Sequence, residues 1–161
     1  MTYFKPLTAL AVAFAVLLMP AATRADDNDD KAWTEDYHAA LKAAKEAGKP
    51  LLADFTGSDW CPPCIRLHKD IFTSKEFKAW AKDKVVLLTL DYPARKEQSK
   101  QTKEQNEKLK DQYKITGFPT VIFISPEGKE LGRQVGYRPM TPEAWIKRAE
   151  AALKPSAEND K

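Results

Sequence analysis

Histidine and cysteine are both scarce: His38, His68, Cys61 and Cys64 are all that the 161 residues contain. A structural zinc site needs four ligands, and the two thiols with His68, four residues after Cys64 on the same helix face, leave one missing. Covalent haem attachment requires a histidine directly after the second cysteine, and Ile65 stands there instead. Long apolar runs are lacking too, since none reaches the about 20 residues of a membrane span. The run at residues 7–19, LTALAVAFAVLLM, follows Lys5 and precedes Thr23 and Ala25, the layout of a secretory signal peptide. No cysteine lies beside it to carry a lipid. Neither sign of charge is in surplus. Without Lys5 and Arg24, the 26 basic residues nearly balance the 23 acidic ones, which argues against a nucleic-acid footprint. The charges crowded into residues 93–111 have mixed signs and read as a solvated helix face.

What is present is one ordinary domain's worth of chain. The expected division is a signal peptide at 1–25, a flexible acidic leader at 26–32, a domain at 33–154 and a flexible tail at 155–161. From Thr34, apolar positions Tyr37, Ala40, Leu41 and Ala44 recur at helical spacing until Gly48 and Pro50. LLADF, residues 51–55, reads as a short buried strand, and a helix should follow the cysteines to about Phe72. Thr73 with Glu76 has the form of a capping box opening a helix over 74–82, before the buried strand VVLLTLD at 85–91. After the charged helix, TVIFI and KELGRQVGY flank a turn at SPEG as a hairpin, and Thr141 with Pro142 opens a last helix bearing Trp145, Ala149, Ala152 and Leu153. Trp33, Trp80 and Trp145 fall on helical apolar faces. Strands separated by helices predict an α/β sandwich, its central sheet parallel at crossovers and antiparallel at the hairpin, with helices on both faces.

The cysteine pair is a staple, half of a metal site, or a reagent. A bridge across two intervening residues closes a tiny loop and would stabilise the fold little. Placed between a strand and the first turn of a helix, Cys61 faces unpaired N–H groups and the helix dipole, which favour a thiolate. Pro62 is tolerated in that first turn because the donor it lacks would have no helical partner.

LLADF, WCPPC and YKITGFPTVIFISPEGKELGRQVGY resemble, in order, the buried strand, redox loop and proline loop with hairpin of the thioredoxin-like superfamily. The longer FTGSDWCPPC is similar to secreted bacterial single-domain members of thiol-disulfide interchange type. The resemblance implies a three-layer sandwich with a mixed central sheet, no cofactor, and a Cys61–Cys64 disulfide in which Cys61 attacks and Cys64 resolves. Pro119 matches the cis proline facing the disulfide, and Phe118 and Thr120 beside it would contact an extended substrate segment. Trp60 would form a partly exposed aromatic rim for protein substrates. Asp59 beside it either tunes substrate charge or caps its own loop. Pro-Pro replaces the Gly-Pro of thioredoxins, altering the redox poise.

Asp54 matches the buried acid that moves protons at the resolving cysteine, but FTGSD is one residue longer than in ordinary thioredoxins, which leaves its reach to Cys64 open. In a strand, Leu52 and Asp54 share one face and Leu51, Ala53 and Phe55 the other, so Asp54 points into an apolar layer. Desolvation there should raise its pKa above about 3.9, unless the extra residue swings it into water. The implied function is thiol–disulfide exchange with exported proteins in the periplasm, weighted towards reduction or interchange, by a monomer served by a membrane-bound redox partner. With no spare cysteine, the chain lacks obvious isomerase equipment. A thioredoxin-fold binding module or chaperone without turnover, and a copper or zinc carrier using both thiols, are the competing readings.

Overall fold

Leu51–Thr56 (β2) is buried along its whole length, as a strand covered on both faces must be, and the rest of the sheet assembles around it. It pairs in parallel with Val86–Asp91 (β3) and antiparallel with Thr120–Ile124 (β4). Trp33–Thr34 (β1) adds to β3, and Glu130–Val135 (β5) adds to β4, giving the order β1-β3-β2-β4-β5. This computed structural model describes Met1 and residues 32–154; the rest of the expected signal peptide, residues 26–31 of the leader, and the tail 155–161 lie outside the described residues.

Helices Tyr37–Ala47 (α1) and Lys100–Gln112 (α4) cover one face, where Ala40, Ala44 and Leu109 meet Leu51, Ala53, Phe55 and Ile122. The other face carries Pro62–Leu67 (α2), Lys75–Lys84 (α3) and Pro142–Leu153 (α5), whose Leu67, Phe77, Ala81, Trp145 and Ala149 pack on Leu52, Val121 and Phe123. Burial of each large apolar side chain in these two layers contributes about 1.5–3 kcal/mol. Gly132 lets α5 approach β5, since a Cβ there would lie 2.5 Å from the Ala152 carbonyl oxygen.

The three-layer sandwich follows the sequence reading, with local differences. Trp33 is in a strand rather than on a helix: it pairs with Leu87 at the sheet edge, and its ring lies 5.1 Å from that of Phe72. The first helix accordingly begins at Tyr37, where the Asp36 carboxylate accepts the Ala39 N–H. Ser74, not Thr73, caps α3, accepting the Phe77 N–H at 3.1 Å, while the Thr73 hydroxyl donates to the Lys69 carbonyl. The charged stretch becomes helical only at Lys100, where Ser99 is the cap. Beyond Leu67 the expected helix continues as a π-helical turn, His68–Phe72, which the spacing did not show. The strand after α4 is antiparallel to β2 although a helix precedes it. Tyr113 reaches the hairpin turn, bonding Gly128 O, and residues 113–119 then return along the sheet, so β4 starts at the end where β3 stops.

Candidate active site around Cys61 and Cys64

The turn after β2 is shaped for the aromatic ring that precedes the cysteines. A Cβ on Gly57 would lie 2.5 Å from the Trp60 ring, so only glycine admits that ring so closely. The Gly57 carbonyl accepts the Cys61 N–H at 3.0 Å, and Cys61 caps α2 with Pro62 at its first position. Cys61 and Cys64 are joined in a disulfide with Cα atoms 5.3 Å apart. At 3% and 2% exposure, burial in this oxidised state does not rank the two sulfurs. The Phe118–Pro119 peptide is cis, and the Pro119 carbonyl accepts the Gly136 N–H at 2.8 Å. Phe118 stands edge-on to Trp60 at 5.9 Å, tying the proline loop to the redox loop. Trp60 is 44% exposed, and its indole N–H donates to the Tyr92 carbonyl at 2.7 Å. Thr120 is buried, with its hydroxyl turned to the Gly117 carbonyl at 2.8 Å.

Asp54 stays inside despite the longer loop, only 5% exposed. It lines a cavity of about 480 Å³ together with Cys64, Thr56, His68, Asp91 and Lys96. Its Oδ1 has no hydrogen-bond partner among the described residues. Burial, and secondarily the negative charge of Asp91, push its carboxyl up from the ordinary 3.8 to about 7. An acid poised there can take and return a proton near neutral pH. The strand-face argument thus holds, and the alternative of a carboxylate swung into water does not.

Sequence reasoning missed how the second acid serves the site. Asp91 ends β3 opposite Thr56, accepts the Ser58 N–H at 2.9 Å and the Ser58 hydroxyl at 2.6 Å, and so fixes the loop before Trp60. The available signal was its place at the site end of a buried strand. Asp59 takes the loop-capping role, accepting the N–H groups of Ala94, Arg95 and Lys96 at 2.8–3.2 Å. His68 is exposed on the π-helical turn, and among the described residues no group of side chains has the makings of a metal site.

Thiol–disulfide exchange is the chemistry of a cysteine pair at a helix start with a buried acid in the same cavity as its second sulfur. Comparison with known proteins agrees. The thioredoxin-like domain family matches residues 37–152. Over 120 residues the chain is 40% identical to the disulfide bond reductase DsbH of Chlamydia pneumoniae, an alignment covering 74% of this chain and 72% of that one. It is 36% identical over 131 residues to the thioredoxin-related protein DsbJ of the same organism, covering 80% of this chain and 38% of the longer relative. The solved DsbH oxidoreductase superposes with a TM-score of 0.71 at 38% identity, over 75% of this chain and 83% of that one. A thioredoxin from Thermus thermophilus, 20% identical with a TM-score of 0.57 over 78% of this chain and 89% of its own, shares the fold. The chain belongs to the thioredoxin-like family and is a thiol–disulfide oxidoreductase.

Proposed function

We propose that this oxidoreductase works as a reductase of disulfides in exported proteins. The observation that carries this reading is the pairing of Cys64 with the buried, near-neutral acid Asp54 in one cavity. In the reduced protein the Cys61 thiolate attacks a substrate disulfide, forming a mixed disulfide and expelling one substrate thiolate. Asp54 then takes the Cys64 proton, and the Cys64 sulfur attacks Cys61, expelling the second substrate sulfur and closing the Cys61–Cys64 bridge. Two electrons pass from the dithiol to the substrate, and Asp54 returns its proton to solvent or to the leaving thiolate. An extended substrate segment lies along the proline loop. There the Phe118 backbone makes no hydrogen bond among the described residues and can pair with it, while Pro119 faces the sulfurs, Thr120 holds the loop, and Trp60 forms the rim. The name of the relative DsbH supports the direction of electron flow. The signal peptide expected at 1–25 supports a periplasmic site of action, where the protein works as a monomer and a membrane-bound redox partner restores the dithiol.

Turbidimetric reduction of insulin by dithiothreitol, with wild type and Cys61→Ser, tests the reading. Wild type accelerates it and Cys61→Ser does not. Equal rates would replace turnover with a binding or chaperone role.

A further inference from the structure

A second cavity, about 620 Å³, opens beside the proline loop on the α5 side of the sheet, lined by Gln134, Tyr137, Arg138, Met140, Trp145 and Arg148. Val135 and Gly136, also in its lining, join it to the proline loop: Val135 pairs with Thr120, and the Gly136 N–H donates to the Pro119 carbonyl. Its charge is one-sided. Arg138 and Arg148 are exposed, and neither forms an ion pair or hydrogen bond among the described residues. No carboxylate is among the lining residues, and the lining Tyr137 donates its hydroxyl to Asp70 at 3.1 Å. The Gln134 amide nitrogen beneath this lining is buried without a partner among the described residues. Trp145 and Met140 give the floor an apolar character suited to side-chain stems.

We propose that this groove receives an acidic stretch of the substrate polypeptide flanking its reactive cysteine, the carboxylates pairing with Arg138 and Arg148. The inference rests on the reductase reading above and adds a preference among its substrates. A chain laid along Phe118 and Pro119 that continues past Gly136 enters the groove, so one geometry serves both the sulfur and the charges. Arginine suits the role because its planar donors match a carboxylate in two places.

The test uses two disulfide-linked peptides, identical except that one carries glutamates and the other glutamines beside the cysteine. At low salt, wild type should reduce the glutamate peptide with a kcat/KM about four- to twenty-five-fold higher, from exposed pairs of about two- to fivefold each, and salt should erode the ratio. In Arg138→Gln/Arg148→Gln the ratio should fall to near one. Equal rates in wild type, or a preference that survives in the double variant, would overturn the groove assignment while leaving reduction intact. If neither peptide is reduced, the reductase reading fails. The groove is then judged by NMR titration of the oxidised chain with cysteine-free versions of both peptides. Shifts of the Gln134 side-chain amide and the Arg138 and Arg148 side chains with the glutamate peptide alone support it. Their absence removes it.

Discussion

Asp54 shows how one side chain can be costly for folding and useful for chemistry. Its carboxyl, raised from 3.8 to about 7, binds a proton more tightly folded than unfolded. Its contribution to stability is therefore fully present below pH 3.8 and is lost as pH rises towards 7. At about 1.4 kcal/mol per pH unit, the loss is at most about 4 kcal/mol. Asp54→Asn, which cannot ionise, should match wild type near pH 3.5 and exceed it by a few kcal/mol at pH 8 in urea denaturation. The same substitution should slow release of the mixed disulfide roughly 100-fold, the low end of what a positioned general base contributes. In single-turnover kinetics the wild-type resolving rate should rise with pH through about 7, following ionisation of Asp54, and Asp54→Asn should lack that inflection. Unchanged rates in the variant would assign the proton to solvent. The sequence made the direction of this shift legible because alternation in LLADF decides which layer the carboxylate enters. The contribution of Asp91 was not legible, since it comes from a neighbouring strand whose register only the folded sheet fixes.

At the scale of elements, the redox loop is held by the end of β3 and the stretch after it as well as by its own Gly57–Cys61 bond. Ser58 bonds Asp91, Trp60 bonds Tyr92, and Asp59 gathers three N–H groups from residues 94–96. Those backbone bonds hold the Asp59 carboxyl below its ordinary value, so the clamp persists as pH falls until that lowered pKa is crossed. Asp59→Ala should accelerate amide hydrogen exchange at Ala94, Arg95 and Lys96 while leaving the sheet protected. Uniform exchange changes would mean that the loop depends on something else. The approach of β5 and α5 gives a second expectation. Gly132→Ala forces the new methyl against the Ala152 backbone and should cost about 1–3 kcal/mol in thermal or denaturant unfolding. Buried strands and the Thr141 cap were readable because a run of apolar residues and a Thr-Pro pair each have one inexpensive local conformation. The edge strand at Trp33 and the π-helical turn were not, because two paired residues and one extra residue in a helical turn leave no period to read.

For the whole molecule, exposed apolar surface is gathered at one end. Apart from Met1, the exposed large hydrophobic residues among those described are Trp60, Ile65 and Val135, at 44%, 47% and 66% exposure. Trp60 precedes Cys61, Ile65 follows Cys64, and Val135 stands opposite Thr120, one residue past the cis proline. They come from two separate stretches, residues 60–65 and the end of β5, and the sheet order β2-β4-β5 brings them to the disulfide end. A protein substrate can cover these side chains while its sulfur reaches the redox pair; a small dialkyl disulfide touches little beyond the sulfurs. Covering a half-exposed aliphatic side chain is worth about 1 kcal/mol, or roughly fivefold in affinity. Ile65→Ser and Val135→Ser should each lower kcat/KM for insulin about fivefold, chiefly through KM, and both together about 25-fold if the sites act independently. Reduction of 2-hydroxyethyl disulfide should stay within twofold of wild type, since exposed positions contribute little to the fold. Equal losses on both substrates would indicate damage to the redox pair itself, and no loss on insulin would mean that proteins dock on the sulfurs and the proline loop alone.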